Sequence, residues 1–266
     1  MKRIILSYTF MMILFQASTY SQTALDSVLM HLPAQSTAEL QLYMDQLVDL
    51  GPSAIVAMAK NINGHLPGKY DMKEHYALSG LARYVDNQTD TETKQVIEEG
   101  FIEALNSDLD VETDVFLIEQ LRSLASDKSL STLQAKISKL CEPAIQAIAA
   151  IGSDRSIQVL IDALNTSQGY CKMVIAKAIG KTDNQTVTTA LTDLLNDSDQ
   201  QIKMTALNAL IASGKPQAFP SILNFAKANP GTGNALLLKY GEIMAQKGNT
   251  QKLSEILDQV EAVGDA

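Results

Sequence analysis

Tryptophan is missing from this chain, and phenylalanine and tyrosine bring the aromatic share to only 5% of 266 residues. Sugar-binding platforms that stack a ring on an exposed indole therefore lose their usual residue, which weakens a carbohydrate-binding reading. A basic cluster is missing too. Lys and Arg number 21 against 30 acidic residues, for a formal charge of −9. Such a surface repels phosphate backbones and anionic lipid heads, so neither nucleic acid nor a membrane is an expected partner. Histidine is scarce, with His31, His65 and His75 scattered and Glu74-His75 standing alone. Zinc sites need several ligands at close spacing, such as two His one helical turn apart, so no metal is expected. Nucleophile elbows and phosphate-cradling loops are absent, and Gly231-Thr232-Gly233 is too short to count as one. No catalytic residue and no cofactor is therefore expected, and the chain reads as a non-enzyme.

The first residues carry a targeting pattern. Lys2 and Arg3 precede an apolar run from Ile4 to Phe15, and the small residues Thr19 and Ser21 follow at the −3 and −1 positions. This predicts a signal peptide over 1–21, cleaved before Gln22, and a protein exported to the periplasm or the cell exterior. Cleavage removes two bases and no acid, moving the formal charge from −9 to −11. After Gln22 no apolar run reaches the length that a membrane span needs.

What the chain has in abundance is a repeat. The stretches VLIDALN, ALTDLLN and SILNFAK begin at Val159, Ala190 and Ser221, 31 residues apart each time. In the first copy Ile157, Leu160, Ile161 and Leu164 form an apolar stripe at i, i+3, i+4 and i+7, and Phe219, Ile222, Leu223 and Ala226 repeat it in the third. The middle copy is degenerate. Thr188 and Thr192 take two stripe positions, and Val187 and Leu194 widen its apolar face. Each of these helices follows a partner that runs into Gly152, Gly180 or Gly214, where a left-handed glycine is expected to close the last turn. Ser126 holds the equivalent place one unit upstream. The unit is thus helix, tight turn, helix and polar link. Further stripes run over Thr37–Leu50, Ile55–Ile62, Tyr76–Tyr84 and Val96–Leu105, and two more helices are predicted at Ala235–Ala245 and Lys252–Val260. The stretch from Asn63 to Gly68 is the clearest loop.

Three constellations remain open to chemistry. Asp108, Asp110, Glu112, Asp114 and Glu119 have a spacing reminiscent of a calcium loop, but Thr113 stands where the turn glycine belongs. An acidic link complementing a helix N-terminus is the simpler reading. Cys141 and Cys171 lie 30 apart and both open the first helix of a unit. They are a possible disulfide or two separate buried thiols; repeat-equivalent positions often sit about 10 Å apart, too far to bridge without an offset. Finally, Asp162, Asp193 and Asn224 share one repeat position on the second helices, flanked in register by Gln158, Thr189 and Pro220. They form either a polar ladder for a partner or an ordinary solvated face.

The stretch Ala206–Gly214, followed by a short turn and the SILNFAK helix, resembles the HEAT-type repeats, and the short period is nearest the phycobilin-lyase-like subtype. The resemblance is strongest over 111–227. It implies an all-α, right-handed superhelix of roughly seven helical pairs. It also implies that second helices line the concave face, which would put the Asp162, Asp193 and Asn224 ladder along a groove. The expected organisation is a signal at 1–21, divergent repeats over 22–110, regular repeats over 111–228 and capping helices over 229–266. The signal, the array and Leu140–Ala144 are also similar to the N-terminal region of large secreted bacterial proteins, some of which carry a 3-keto-disaccharide hydrolase domain. No strand-rich segment here corresponds to that domain. The expected function is protein–protein interaction by a non-catalytic scaffold with a protein or peptide partner. The alternatives are an accessory module of a carbohydrate-processing system and a lyase-like enzyme subunit.

Overall fold

Helical stripes and well-placed caps dictate what the chain becomes. The computed structural model describes residues 22–62, 71–86, 91–182 and 184–264. The expected signal at 1–21 and the expected loop at 63–68, with His65, lie outside the described residues. Among those described are fifteen α-helices and no strand, so the all-α expectation holds. Packing divides the chain between Ala135 and Lys136 into two compact units.

The first unit holds α1 (22–30), α2 (Thr37–Asp49), α3 (Pro52–Asn61), α4 (Met72–Asp86), α5 (Thr91–Leu105), α6 (Val111–Leu121) and α7 (Leu130–Lys136). Helices pack on their second neighbours, α2 on α4 on α6 and α3 on α5, the alternation expected of stacked hairpins. The acidic link ends in a cap. Asp110 accepts hydrogen bonds from the Thr113 amide at 2.9 Å and the Thr113 hydroxyl at 2.8 Å, opening α6. His75 lies edge-on to Phe116, with ring centroids 4.4 Å apart, and His31 stacks on Tyr43. Ser126 does not act as a helix-closing residue. At φ −124° it caps the turn Asp127–Ser129, and its amide and hydroxyl both donate to buried Glu98, which also accepts from Ser129 at 2.6 Å. A buried carboxylate needs such donors, and serine supplies two where glycine supplies one.

The second unit holds α8 (Cys141–Ile151), α9 (Asp154–Thr166), α10 (Gly169–Ile179), α11 (Gln185–Asp193), α12 (Gln200–Ser213), α13 (Phe219–Ala228), α14 (Pro230–Gln246) and α15 (Leu253–Gly264). The predicted helix at Ala235–Ala245 starts earlier, with Pro230 at its first position, where a missing N–H costs nothing. Helices α8, α10, α12 and α14 stack in one row, while α9 packs on α11 and α13 on α15. Ser153, Asn184 and Asp199 cap α9, α11 and α12 by accepting amide hydrogen bonds. The stripes point inward. Ile157, Leu160 and Leu164 are buried in α9, and Phe219, Ile222 and Ala226 in α13. In the degenerate α11, Val187, Leu191 and Leu194 supply the core, and Thr188 is buried among them.

Gly152 and Gly214 are left-handed, at φ 68° and 57°, as their place after a helix predicts. Gly180 is not. Its φ is −60°, and its amide closes on the Ala176 carbonyl in right-handed geometry. The reason for glycine there is space, because an added Cβ would lie 2.6 Å from the Ala209 Cβ on α12. Cys141 and Cys171 form a disulfide, S–S 2.08 Å, with their Cα atoms 5.8 Å apart. The first turns of α8 and α10 thus converge more closely than parallel stacking of equivalent positions would allow. The Tyr170 hydroxyl donates to the Glu142 carboxylate beside the bridge, and that contact raises the Tyr170 pKa.

Two stability outcomes follow. Gly180→Leu is expected to cost about 1–3 kcal/mol through overpacking against α12. Gly231→Ala, with nothing within 4 Å of the new methyl, should be neutral in the same urea titration. A Cys141→Ser, Cys171→Ser double variant is expected to lose about 3–4 kcal/mol in the chain-entropy account of cross-linking, read as a lower urea midpoint.

Candidate functional site

The polar ladder is exposed. Asp162, Asp193 and Asn224 lie on the solvent side of α9, α11 and α13, as do Gln158 and Thr189. Period explains this directly, since residues between the buried stripe positions of an amphipathic helix face outward. Gln158 and Asp162 are joined on α9, with the amide donating to the carboxylate at 2.8 Å, one turn apart.

Two clefts open along this row. The first, of about 530 Å³, lies between α9 and α11 and is lined by Gln158, Thr189 and Asp193 together with Ile161, Lys172 and Asp197. The second, of about 410 Å³, lies between α11 and α13, with Asn224, Thr192, Ser221 and Lys203 in its lining. Thr192 and Ser221 hydroxyls meet across it at 3.0 Å. The structure therefore brings Gln158, Thr189 and Asp193 to one cleft and Asn224 to the next. Asp162 reaches the first only through Gln158, and Pro220, exposed on α13, lines neither. A third cleft, of about 490 Å³, sits within the first unit, where Thr37, Leu40, Gln41 and Met44 of α2 face Tyr76, Gly80 and Arg83 of α4.

Three cleft residues were not anticipated. Lys172 donates to Asp197 at 2.6 Å, and Asp197 also accepts from the Asp199 amide at 2.9 Å. The Lys172 contact is the chief cause holding the Asp197 carboxyl below its ordinary value of 3.8, with Lys203 adding a weaker pull. Lys172 and Lys203 are themselves 31 apart, a register visible in the sequence. Asp197 has no such signal, because Thr166 and Ala228 stand at its equivalents. Among the described residues no three His, Cys, Asp or Glu side chains gather as a metal ion would require. No described helix is long and apolar enough to cross a membrane.

The hairpin α8–α9, with Gly152 at its turn and the first copy of the ladder on its second helix, is the part of the molecule with a recognisable family pattern. Residues 144–166 match the PBS lyase HEAT-like repeat. The repeat chemistry of this hairpin, small residues on α8 and a capped amphipathic α9, is thus that of a HEAT-like unit. Among solved structures the chain is similar to YibA of E. coli, at 13% identity and a TM-score of 0.46, covering 92% of this chain and 96% of that one. It is also similar to the complex of CpcE and CpcF of phycocyanin lyase from Nostoc sp. PCC7120, at 14% identity and a TM-score of 0.37, covering 90% and 94%. No curated protein matches the chain.

The Lys172–Asp197 contact sets a pH response. A carboxyl whose folded pKa is depressed contributes stability that is complete above its ordinary 3.8 and is lost as pH falls through the lower folded value. Lys172→Met should move the Asp197 carboxyl titration upward, measured by carboxyl-carbon NMR, while leaving distant carboxyls in place.

Proposed function

We propose that this protein is an exported, non-catalytic helical-repeat scaffold whose α9–α11–α13 face holds an extended segment of a protein partner that offers a basic side chain. The observation that carries the reading is the sharing of one cleft by Gln158, Thr189 and Asp193, contributed by two successive second helices, with Asn224 in the cleft beyond. An extended chain crossing a row of helices meets such positions one after another, and each supplies a modest polar contact. Charge supports the choice of partner. The chain carries −9 overall, −11 once residues 1–21 are removed, and Asp162 and Asp193 present exposed carboxylates on this face. Long-range attraction of that sign raises encounter rates with a basic segment. Export rests on the Lys2-Arg3 start, the Ile4–Phe15 run and the small residues before Gln22. The non-catalytic reading rests on the sequence, which carries neither a nucleophile elbow nor a phosphate-cradling loop.

A fluorescent twelve-residue peptide with one central lysine among alanine and serine is the probe. Binding to the protein from Gln22 onward should weaken at least tenfold in the double variant Asp162→Lys, Asp193→Lys, followed by polarisation. Asp108→Lys with Glu119→Lys, an equal charge reversal on exposed residues of the first unit, should leave it nearly unchanged. Equal weakening by both pairs would reduce the face to bulk electrostatics and sink the proposal.

A further inference from the structure

The two clefts of the second unit are successive copies of one another. Adding 31 to the first set of lining positions reproduces most of the second: Ile161 becomes Thr192, Lys172 becomes Lys203, Ala190 becomes Ser221 and Asp193 becomes Asn224. The backbone builds the same concavity twice, and the charges do not follow. The lysine is kept, while Asp193 is replaced by Asn224 and Asp197 by Ala228. The lining therefore changes from one lysine and two aspartates in the first cleft to one lysine and no carboxylate in the second. In the first cleft Lys172 is already bonded to Asp197 at 2.6 Å, which leaves Asp193 as the exposed charge on α11. In the second, Lys203 stands with the amides of Gln200 and Asn224 and the paired hydroxyls of Thr192 and Ser221, one of whose protons joins the two oxygens while the other can donate to an anion. Asp197, between the two lysines in sequence, is bonded to Lys172 and attracts Lys203 without a bond.

Resting on the reading of this face as a peptide-binding surface, we infer that it selects the polarity of its segment. A cationic side chain enters the first cleft beside Asp193, and an anionic side chain enters the second beside Lys203. Spacing follows from geometry. Packed helices stand about 8–10 Å apart, and a chain extended as polyproline II advances about 3.1 Å per residue with three residues per turn, so side chains three residues apart share one face and span the two clefts. The occupant is a segment of the form Lys-x-x-Glu, or Arg and Asp in the same places, running in either direction.

Net charge makes the test sharp. A protein at −9 should, on bulk attraction alone, prefer two lysines to a lysine and a glutamate. Labelled twelve-residue peptides of alanine and serine, carrying Lys-Ser-Ala-Glu or Lys-Ser-Ala-Lys at the centre, are compared by polarisation at about 0.15 M salt, where exposed charges beyond about 8 Å are screened. The expected result is at least fivefold tighter binding of the Lys-Ser-Ala-Glu peptide. Lys203→Glu should invert that ranking, and Lys203→Gln, the milder change, should erase it. Equal or tighter binding of the Lys-Ser-Ala-Lys peptide, or a ranking untouched by both Lys203 variants, overturns the inference. If in that event the Asp162→Lys, Asp193→Lys variant still loses both peptides, the face remains a binding surface and only its polarity is refuted. Binding of neither peptide removes the face and the polarity together.

Discussion

Everything in the second unit depends on how closely its first helices can approach. An added Cβ at Gly180 would lie 2.6 Å from the Ala209 Cβ on α12, and, between a first helix and a second, one at Gly233 on α14 would lie 2.4 Å from the Ala226 carbonyl on α13. These contacts replace side-chain interdigitation by backbone proximity, and dense packing is stabilising only when no larger group must be accommodated. Alanine, isoleucine and leucine on α8, α10 and α12 then complete the row, with Ile145, Ile148, Ile175, Leu207 and Leu210 all fully buried. At the first turns of these helices the Cys141–Cys171 bridge and the Tyr170–Glu142 contact hold α8 to α10. The second row carries broader, more polar faces, and it is there that the clefts open.

A second constraint runs along the inter-helix turns. Asn184 donates to Asp154 at 3.0 Å, across 30 residues. Lys215 donates to the Thr182 and Asn184 carbonyls at 3.1 and 3.0 Å, and Lys247 to the Ser213 carbonyl at 2.8 Å. Tyr240, whose phenol burial pushes up in pKa, donates to the Lys215 carbonyl. The two lysines thus satisfy carbonyls of the repeat before, in the α10–α11 turn and at the last residue of α12, where a helix has no internal donor, while Asn184 reaches the Asp154 carboxylate. Stability of this kind is shared between neighbours, as expected for a stack in which each unit contacts only the next. It also fixes the spacing of the second helices, and so the width of the clefts between them.

How much of this was legible in the sequence depended on whether one residue or a pair carried the signal. Gly152 and Gly214 declared themselves, because a glycine after an amphipathic run has one common reason to be there. Gly180 looked the same and served a different purpose, since the α12 neighbour that demands it lies 29 positions away at Ala209. Ser126 stands in the register place of a closing glycine, yet its task is to donate to Glu98, a carboxylate whose burial nothing in its own helix announces. Ladder residues followed from period alone, as did the outward direction of Asp162, Asp193 and Asn224. Lys172 and Lys203 obey the same period, but they sit on the first helices and reach the clefts from the side, which a pattern on the second helices does not reveal. Asp197 was beyond sequence reasoning altogether: its importance comes from the ammonium 2.6 Å away, 25 residues earlier.

Repetition and divergence carry different information in such a chain. What recurs every 31 residues is what the stack requires: an apolar stripe and a polar outward position. A position that recurs can be explained by folding alone, since every copy must satisfy the same neighbours. A position that is exposed, lines a cleft and changes between copies has no such explanation. Asp193 and Asn224 both satisfy the requirement to be polar and outward, yet only one brings a charge. Asp197 and Ala228 differ more sharply, and neither contributes an apolar side chain to the core. At the exposed positions 193 and 224 the fold would tolerate either residue, at a cost within the usual range of surface changes, roughly ±0.5 kcal/mol. Differences that folding does not require are the ones to interpret chemically, and the change from Asp193 to Asn224 falls in two adjoining clefts on the same face.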